Sequence, residues 1–277
     1  MALKKVYGKE KDTEDALFSR YIEKLELSGA VVKRNNILPY ALDLEKTDNI
    51  RFLPGFDEGV FFVQDVSSML VTEVAGVEPS HVVVDVCAAP GGKSLHAAQS
   101  AGTVLSRDVS ERKCELIREN AERMGLSNLK VEMHDAKIHD RNMENKADVL
   151  YLDLPCSGLG IIGRKNDIKY NASRKGLSEL TALQWEIIKT VWDYVKPGGT
   201  VMYSTCTVNR AENEDMIKRI CAEFPFETVD FSDRLPKALL SGQAGADLVK
   251  SAKNGYIQLI PGSFGTDGFF IGKLRRV

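Results

Sequence analysis

Two cysteines, Cys156 and Cys206, lie in polar turns that each follow a short hydrophobic run typical of a β-strand. The two runs are residues 147–152 and residues 200–203. In open parallel sheets, ligands bind beyond the carboxyl ends of such strands. A free cysteine is usually a small buried hydrophobic residue, but the polar turns around both thiols favour a chemical role. The sequence therefore predicts two thiols that face one crevice.

Such a pair suits substitution at a carbon that is a poor nucleophile, and C5 of cytosine is an example. An enzyme must first add a nucleophile at C6 to push electron density onto C5, and a thiolate both attacks and leaves well. The adduct must then lose its C5 proton and expel the sulfur, which needs a second group that can act as a base. The spacing leaves the two roles open, because DNA cytosine-5 enzymes use a Pro-Cys nucleophile like that at Cys156.

A carboxylate accompanies the first thiol. Asp153 lies three residues before Cys156, at the predicted strand end, where it can donate or accept a hydrogen bond at the N3/N4 edge of a cytosine. Pro155 lacks an N–H and ends the strand, which turns Cys156 toward the crevice. Lys93 either orients Asp153 or caps a cofactor turn, and we favour the first role.

A second motif predicts a cofactor site. A buried-type strand leads into a turn of small residues and then a helix, in the sequence Val84-Asp85-Val86-Cys87-Ala88-Ala89-Pro90-Gly91-Gly92-Lys93. Gly91 and Gly92 let the backbone approach a ligand closely, and the helix start offers unpaired N–H groups. Asp108 ends the next strand, where an acidic residue can bind a ribose diol, and Asp135 follows the third strand, beside the expected adenine. The pattern matches neither GxGxxG nor a Walker loop, so it predicts an adenosine-type cofactor rather than a dinucleotide or a nucleoside triphosphate.

The elements that must position these groups alternate between strand and helix, which predicts a doubly wound, mostly parallel α/β sheet of order 3-2-1-4-5. The predicted strands are residues 81–86, 103–107, 129–133, 149–152 and 200–203, and residues 255–260 and 268–274 form a closing antiparallel pair. Before them we predict a helix over residues 12–27, short strands at 30–32 and 41–44, and a helix over 64–77. We interpret residues 1–60 as a small α/β appendage and residues 61–277 as the catalytic domain.

Composition limits the partners. With a net charge of −2, the chain as a whole is not basic enough to attract nucleic acid, so binding of RNA would need a local basic patch. Residues 161–176 supply one, with RNA-binding candidates Arg164, Lys165, Lys169 and Tyr170, although a solvated loop is the alternative. The five cysteines form no CxxC pair and the four histidines are not arranged around them, so no metal is expected. We expect neither a signal peptide nor a membrane span, and a monomer in the reducing cytoplasm.

The motifs resemble those of the RNA (cytosine-5) methyltransferases of the NOL/NOP2/Sun family. The resemblance runs from about residue 16 to the C-terminus and rests on the cofactor turn above, Asp153-Leu154-Pro155-Cys156-Ser157-Gly158, Ser204-Thr205-Cys206-Thr207, Glu212-Asn213-Glu214, Gln64-Asp65-Val66-Ser67-Ser68 and Asp267-Gly268-Phe269-Phe270. Residues 162–170 are most similar to the bacterial 16S ribosomal RNA branch called Sun or Fmu. Leu154 and Thr207 depart mildly from the family pattern, which usually has Ala and Ser there.

The resemblance implies a Rossmann-like class I methyltransferase with a seven-stranded sheet and S-adenosylmethionine as cofactor. It assigns Cys206 as the nucleophile, Cys156 as the group that aids release, and Asp153 also to the cofactor side. It implies small-subunit ribosomal RNA as partner, with a cytosine of the 967 type as target. The Sun branch also carries a NusB-like RNA-binding domain and an Arg-hydrophobe-Asn strand, and the sequence shows neither. We therefore expect a catalytic region, a truncated gene product, or docking through the appendage or a partner.

Other functions compete with this one. The target could be a transfer RNA or another ribosomal site. Amino-methylation of adenine expects an aromatic residue after the proline of the fourth-strand motif, where Cys156 stands. A non-catalytic ribosome-assembly factor would keep the fold, but intact Cys156 and Cys206 argue against it.

Overall fold

The computed structural model describes residues 2–3, 14–164 and 173–277. Within these ranges the strands are β1 (Ala2–Leu3), β2 (Val31–Arg34), β3 (Leu42–Lys46), β4 (Phe61–Phe62), β5 (Val82–Asp85), β6 (Thr103–Asp108), β7 (Leu129–Met133), β8 (Ala147–Asp153), β9 (Val195–Thr205), β10 (Phe226–Thr228), β11 (Tyr256–Leu259) and β12 (Phe269–Arg276). The α-helices are α1 (Glu14–Leu27), α2 (Val66–Ala75), α3 (Gly92–Ala98), α4 (Glu111–Arg123), α5 (Arg174–Val191), α6 (Glu214–Glu223) and α7 (Gly242–Lys253).

Among the described residues the central sheet has eight strands, in the order β10-β12-β9-β8-β5-β6-β7, with β11 paired to β12. Strands β7, β6, β5, β8 and β9 are parallel, which confirms the predicted 3-2-1-4-5 order and the doubly wound fold class. The antiparallel pairing of β11 with β12 is also confirmed. One strand more than the seven expected is present, because the short β10 pairs with the end of β12.

Two apolar layers cover the sheet. Buried side chains on one face pack with α2 and α3, around Leu70, Val83 and Ile271, and the other face packs with α5 and α6, around Leu150, Ile188 and Val201. Strands buried on both faces read as continuous apolar runs, and β5 begins Val82-Val83-Val84 for this reason. The ends of these strands are therefore held on a rigid base.

The N-terminal region has a small core of its own, formed by Leu25, Val32, Leu42 and Phe61 with neighbouring side chains. Strands β2 and β3 form an antiparallel pair there. The Arg123 guanidinium of α4 donates a hydrogen bond of 3.1 Å to the Phe61 carbonyl and so ties this region to the main sheet. The division at residue 60 stays a prediction.

The first residues of α2 and β9 differ from those that the sequence predicts. Helix α2 begins at Val66 rather than residue 64 because Asp65 is its N-cap and accepts a hydrogen bond from the Ser67 N–H. Strand β9 begins at Val195, five residues earlier than expected, and continues through Pro197 and two glycines. Proline followed by two glycines is more typical of a turn than of a strand.

Candidate active site

The pairing of β8 with β9 brings the two predicted thiols together. Asp153 and Ser204 are partners in the parallel register of these strands. Cys156 follows Asp153 by three residues and Cys206 follows Ser204 by two, so both side chains lie just beyond the same edge of the sheet. Their Sγ atoms are 3.4 Å apart. Both cysteines are free and partly buried.

The two thiols differ in their electrostatics. The pKa of Cys206 is lowered, first because the Cys156 S–H donates a hydrogen bond to its sulfur, and also because the Lys93 ammonium lies near. The same hydrogen bond and burial raise the pKa of Cys156. In the free protein, Cys206 is therefore the thiol that ionises first, and Cys156 holds the shared proton.

The predicted carboxylate is fixed by two side chains. The Lys93 Nζ donates to Asp153 Oδ2 at 2.6 Å, and the Ser204 hydroxyl donates to Oδ1 at 2.7 Å. Lys93 is only 7% exposed, so a charge-assisted bond to Asp153 stabilises it. An orienting role of Lys93 toward Asp153 stays a prediction, which this contact supports. The Lys93 ammonium also lies 5.2 Å from the centre of the Phe269 ring.

A cavity of about 390 Å³ joins these groups to the cofactor turn. Its lining includes Ala88, Pro90 and Gly92 from the turn, and Asp153, Cys156 and Cys206 from the strand ends. Cavities of this size hold small-molecule ligands. A ligand bound against the turn would therefore lie next to both thiols.

The cofactor turn is held against the next strand. The Ala89 N–H donates to Asp108 Oδ2 at 3.2 Å, and the Ala88 N–H donates to the Arg107 carbonyl at 2.9 Å. Gly91 has φ of 104°, which side chains rarely adopt. Asp108 is buried, but each carboxylate oxygen can accept more than one hydrogen bond. It remains a candidate ligand for a ribose.

Two other predicted cofactor residues, Cys87 and Asp135, lie at the same end of the sheet without lining this cavity. Burial raises the pKa of the Cys87 thiol. Asp135 stands after β7, where its carboxylate accepts a hydrogen bond of 2.9 Å from the Lys137 N–H. Their roles, like that of Asp108, stay predictions.

Only one of the four predicted RNA-binding residues lies in the described part of the chain. Arg164 is 63% exposed, and its guanidinium contacts Asp65 Oδ2 at 2.6 Å and Asp267 Oδ1 at 3.0 Å. Lys165, Lys169 and Tyr170 lie outside the described residues.

The sequence motifs gave no role to several residues that the structure places in the cavity wall. Gln64, Asp65, Asp267 and Phe269 all line it, and they come from segments before β5 and after β11. Both segments belong to the motifs that carry the family resemblance. These residues are far from either cysteine along the chain, so the sequence does not indicate that they line the same cavity as the thiols.

Backbone contacts also hold the site together. The Gly160 N–H donates to the Cys206 carbonyl at 3.0 Å, and the Gly268 N–H donates to the Gly160 carbonyl at 2.9 Å. A Cβ atom on Gly160 would lie 2.0 Å from the Gly268 carbonyl oxygen. Glycine is required here because three chain segments pass within hydrogen-bonding distance of each other.

The expectation of no metal stays a prediction. In the described ranges, His139, Glu144 and Asp193 have potential ligand atoms within 4.8 Å of one another, and the first two are exposed. They lie before the first residues of β8 and β9, whereas the thiols follow the last residues of these strands.

Comparison with protein families decides what kind of chain has this site. A family model described as "16S rRNA methyltransferase RsmB/F" matches residues 74–275, which is most of the chain and includes both cysteines, Asp153 and the cofactor turn. The chain belongs to this family. Membership of the RsmB/F family confirms the family resemblance, the fold class and S-adenosylmethionine as the cofactor of the family.

Curated relatives of the RsmB/F chain include the probable ribosomal RNA small subunit methyltransferase B of Bacillus subtilis. It is 36% identical over 261 residues, which is 92% of this chain and 56% of the relative. The ribosomal RNA small subunit methyltransferase B of Cronobacter sakazakii is 32% identical over 262 residues, again 92% of this chain and 56% of the relative. The chain thus spans little more than half the length of these relatives.

Solved structures share the same fold. A protein called PH0851 superimposes with a TM-score of 0.84 at 27% identity, over 99% of this chain and 58% of that protein. NSun6 from Pyrococcus horikoshii, solved with SFG, gives a TM-score of 0.68 at 27% identity, over 86% of this chain and 60% of that protein. None of the helices within residues 14–164 and 173–277 has the length and apolar character to cross a membrane.

Proposed function

We propose that the chain transfers a methyl group from S-adenosylmethionine to C5 of a cytosine in small-subunit ribosomal RNA, with a cytosine of the 967 type as the first candidate. The observation that supports this reaction is the pair of thiols 3.4 Å apart in the wall of one cavity. One thiol suffices for attack on a carbon, and a second at this distance has a use when the reaction needs a base afterwards. The names of the curated relatives support the RNA substrate.

The residues present fit the cofactor. The small side chains of the turn leave room in the cavity wall, and the cavity continues from the turn to the thiols. Ala88, Pro90 and Gly92 would hold its amino-acid end, and Asp108 would bind the ribose at the neighbouring strand end. Bound S-adenosylmethionine would supply an electrophilic methyl group beside the two sulfurs.

Cys206 makes the first bond. Its lowered pKa raises the fraction of thiolate at a given pH, and the thiolate sulfur adds to C6 of the base. The electron pair of the C5–C6 double bond moves to C5, which becomes a carbon nucleophile. Desolvation in the partly buried site strengthens the attack because water no longer shields the sulfur.

Asp153 steadies the ring while charge develops. Lys93 and Ser204 each donate to one of its carboxylate oxygens, so its position is fixed before substrate enters. In this place the carboxylate accepts a hydrogen bond from the N4 amino group, and the adjacent Lys93 ammonium compensates negative charge on the ring.

Cys156 completes the reaction. While Cys206 is a thiolate, the hydrogen bond between the sulfurs keeps the proton on Cys156. Once Cys206 has bonded to carbon it is no longer an anion, so the main cause of the raised pKa of Cys156 is gone. Cys156 can then ionise and take the C5 proton. The released electron pair restores the C5–C6 double bond and expels the Cys206 sulfur.

The RNA must present an unstacked base, because the thiols lie inside a cavity. Arg164 at the cavity rim is exposed and can meet a phosphate. The basic residues Lys165 and Lys169, with Tyr170 as a stacking surface, would extend this contact along the strand.

The order of events is tested with RNA that contains 5-fluorocytosine, whose fluorine cannot leave as a proton. With S-adenosylmethionine, the wild-type protein should form a covalent band with this RNA, and Cys206→Ala should form none. Cys156→Ala should accumulate the adduct on ordinary RNA, because release is blocked. Cys221→Ala, which removes a half-buried cysteine elsewhere, is the matched control and should behave as wild type.

The opposite pattern, with adduct lost in Cys156→Ala and kept in Cys206→Ala, would exchange the two roles. No adduct and no methyl transfer by the wild type, on assembled subunits, naked ribosomal RNA and transfer RNA alike, would overturn the proposed activity. Mapping 5-methylcytosine on the RNA that reacts identifies the target nucleotide.

A further inference from the structure

One buried carboxylate beside the thiols is not used by the proposed reaction. Glu212 lies after β9, in a short 3₁₀ turn, and has no exposed surface. We infer that Glu212 is a positioning residue that holds the Cys156 turn against the Cys206 turn. Its importance for catalysis rests on the proposed function, but its effect on the two thiols can be measured without the reaction.

On the Cys156 side, Glu212 binds the next residue twice. The Ser157 N–H donates to Oε2 at 2.8 Å, and the Ser157 hydroxyl donates to Oε1 at 2.5 Å. Two bonds from one residue to both carboxylate oxygens fix the direction of the turn as well as its distance. The backbone next to Cys156 is therefore set by Glu212.

On the Cys206 side, Glu212 is anchored to the strand that leads to the thiol. The Tyr203 hydroxyl donates to the Glu212 carbonyl at 2.5 Å, and the Asn209 side chain donates to Oε1 at 2.9 Å. The Thr207 and Ser157 hydroxyls are 2.7 Å apart, and Thr207 is the donor because Ser157 already donates to Glu212. The carboxylate thus spans the space between the two turns.

A third element closes the arrangement. Gln184 of α5 is buried, and its Nε2 donates to Glu212 Oε2 at 3.2 Å and to the Pro155 carbonyl at 2.9 Å. The helix therefore contacts the residue before Cys156 directly and is linked to the residue after it through Glu212. Any movement of that turn would break bonds to α5 as well as to Glu212.

A carboxylate is needed at this position because every group that contacts its oxygens is a donor. Oε1 and Oε2 accept four hydrogen bonds. The donors in the described ranges are the N–H and hydroxyl of Ser157 and the side-chain amides of Gln184 and Asn209, and none of them carries a positive charge. A glutamine of the same shape would place an NH₂ group against N–H donors at either oxygen position. Burial of a polar group without partners is costly, so the four donors to the two oxygens are what hold the Glu212 side chain in place.

The test compares Glu212→Gln with wild type and with Asp148→Asn. Asp148 lies at the beginning of β8 and accepts hydrogen bonds from the Val82 N–H and Lys196. The control therefore removes a hydrogen-bonded carboxylate at the end of β8 that is opposite to the Cys156 turn. We expect the reduction potential of the Cys156–Cys206 pair, measured in dithiothreitol redox buffers with peptide mapping, to rise by ~30 mV in Glu212→Gln. That shift is a tenfold loss in the equilibrium constant for joining the two sulfurs. Asp148→Asn should leave the potential unchanged.

With RNA substrate, kcat of Glu212→Gln should fall by about tenfold or more, since a small displacement of a reacting group is enough for such a loss. KM for RNA should stay near the wild-type value, because Glu212 does not line the cavity. If Glu212→Gln does not fold, Ser157→Ala, which loses the bond to Oε1, should show the same shift to a smaller extent.

A folded Glu212→Gln with the wild-type potential and kcat would overturn the inference. A folded Ser157→Ala with the wild-type potential would do the same if Glu212→Gln cannot be purified. A potential shift in a chain whose wild type transfers no methyl group would overturn the proposed function and leave the positioning role standing.

Discussion

At the scale of single residues, two sulfurs share one proton and the surroundings decide which of them keeps it. Cys206 has a lowered pKa and Cys156 a raised one, and the hydrogen bond between them is the first cause of both shifts. Two identical side chains thereby acquire different chemistry. The difference depends on their contact, so it can be removed by changing one partner.

Alkylation with iodoacetamide as a function of pH tests this difference. The thiolate is the reactive form, so Cys206 in the wild type should reach half of its maximal rate below the ordinary thiol pKa of about 8.5. Cys156→Ala removes the donor to the Cys206 sulfur, which disfavours the thiolate, so the midpoint should move to higher pH.

Cys221 provides an internal standard in the same samples, because burial raises its pKa independently of the pair. Mass spectrometry of the separate peptides reports each cysteine. An unchanged Cys206 midpoint in Cys156→Ala would show that the neighbouring thiol does not control its ionisation.

At the scale of elements, the site is the meeting point of loops that follow β8, β9 and β11. Gly160, Gly268 and the Cys206 carbonyl are joined by backbone hydrogen bonds alone. A side chain in this contact would push the loops apart, since close-packed regions tolerate added atoms poorly.

Gly160→Ala should therefore destabilise the protein by about 1–3 kcal/mol and reduce methyl transfer. Its new Cβ would lie 2.0 Å from the Gly268 carbonyl oxygen, whereas a Cβ at Gly163 would meet nothing within 4 Å. Gly163→Ala is the matched control, and its unfolding midpoint in urea should equal that of the wild type. Equal midpoints for both variants would show that the loops can separate at no cost.

Much of this arrangement could be predicted from the sequence, because it depends on local patterns. The apolar runs gave the parallel strands and their order, and that order placed Cys156 and Cys206 at adjacent strand ends. The roles of Asp267 and Phe269 could not be predicted, since they depend on a loop between antiparallel strands that folds back over the thiols. Glu212 belongs to a motif of the family resemblance, but its contacts could not be predicted, because the four donors to its carboxylate come from three separate segments of the chain.

At the scale of the whole molecule, the strand end beside the cofactor turn contains a carboxyl group whose ionisation is costly. Asp85 ends β5 in the core, where burial raises its pKa to about 7 although the Ser94 hydroxyl donates to it at 2.7 Å. The folded chain therefore keeps a proton on Asp85 between about pH 4 and pH 7, while the unfolded chain has lost it. The folded state is destabilised progressively as pH rises through this window.

Asp85→Asn cannot ionise and should lose this pH dependence. Relative to the wild type, the free energy of unfolding of the variant should increase between pH 4 and pH 8 by at most about 4 kcal/mol. Urea unfolding at several pH values measures the difference. A constant difference across the range would contradict the raised pKa. Asp148→Asn is the control, because a carboxyl with a lowered pKa titrates below about pH 4 in the folded and unfolded chain, so its difference from the wild type should stay nearly constant between pH 4 and pH 8.

The position of β12 has a consequence for when the site can exist. This strand comes last among the described elements, yet it pairs along one edge with β9 and along the other with β11 and β10. Its first residue, Phe269, lines the cavity, and its Lys273 donates to the Val74 carbonyl in α2. The residues before position 260 already include both thiols, Asp153 and the cofactor turn, but without the last strand the cavity lacks Asp267 and Phe269 and strand β9 lacks its antiparallel neighbour. A folding chain therefore has no complete site until β12 has paired with β9.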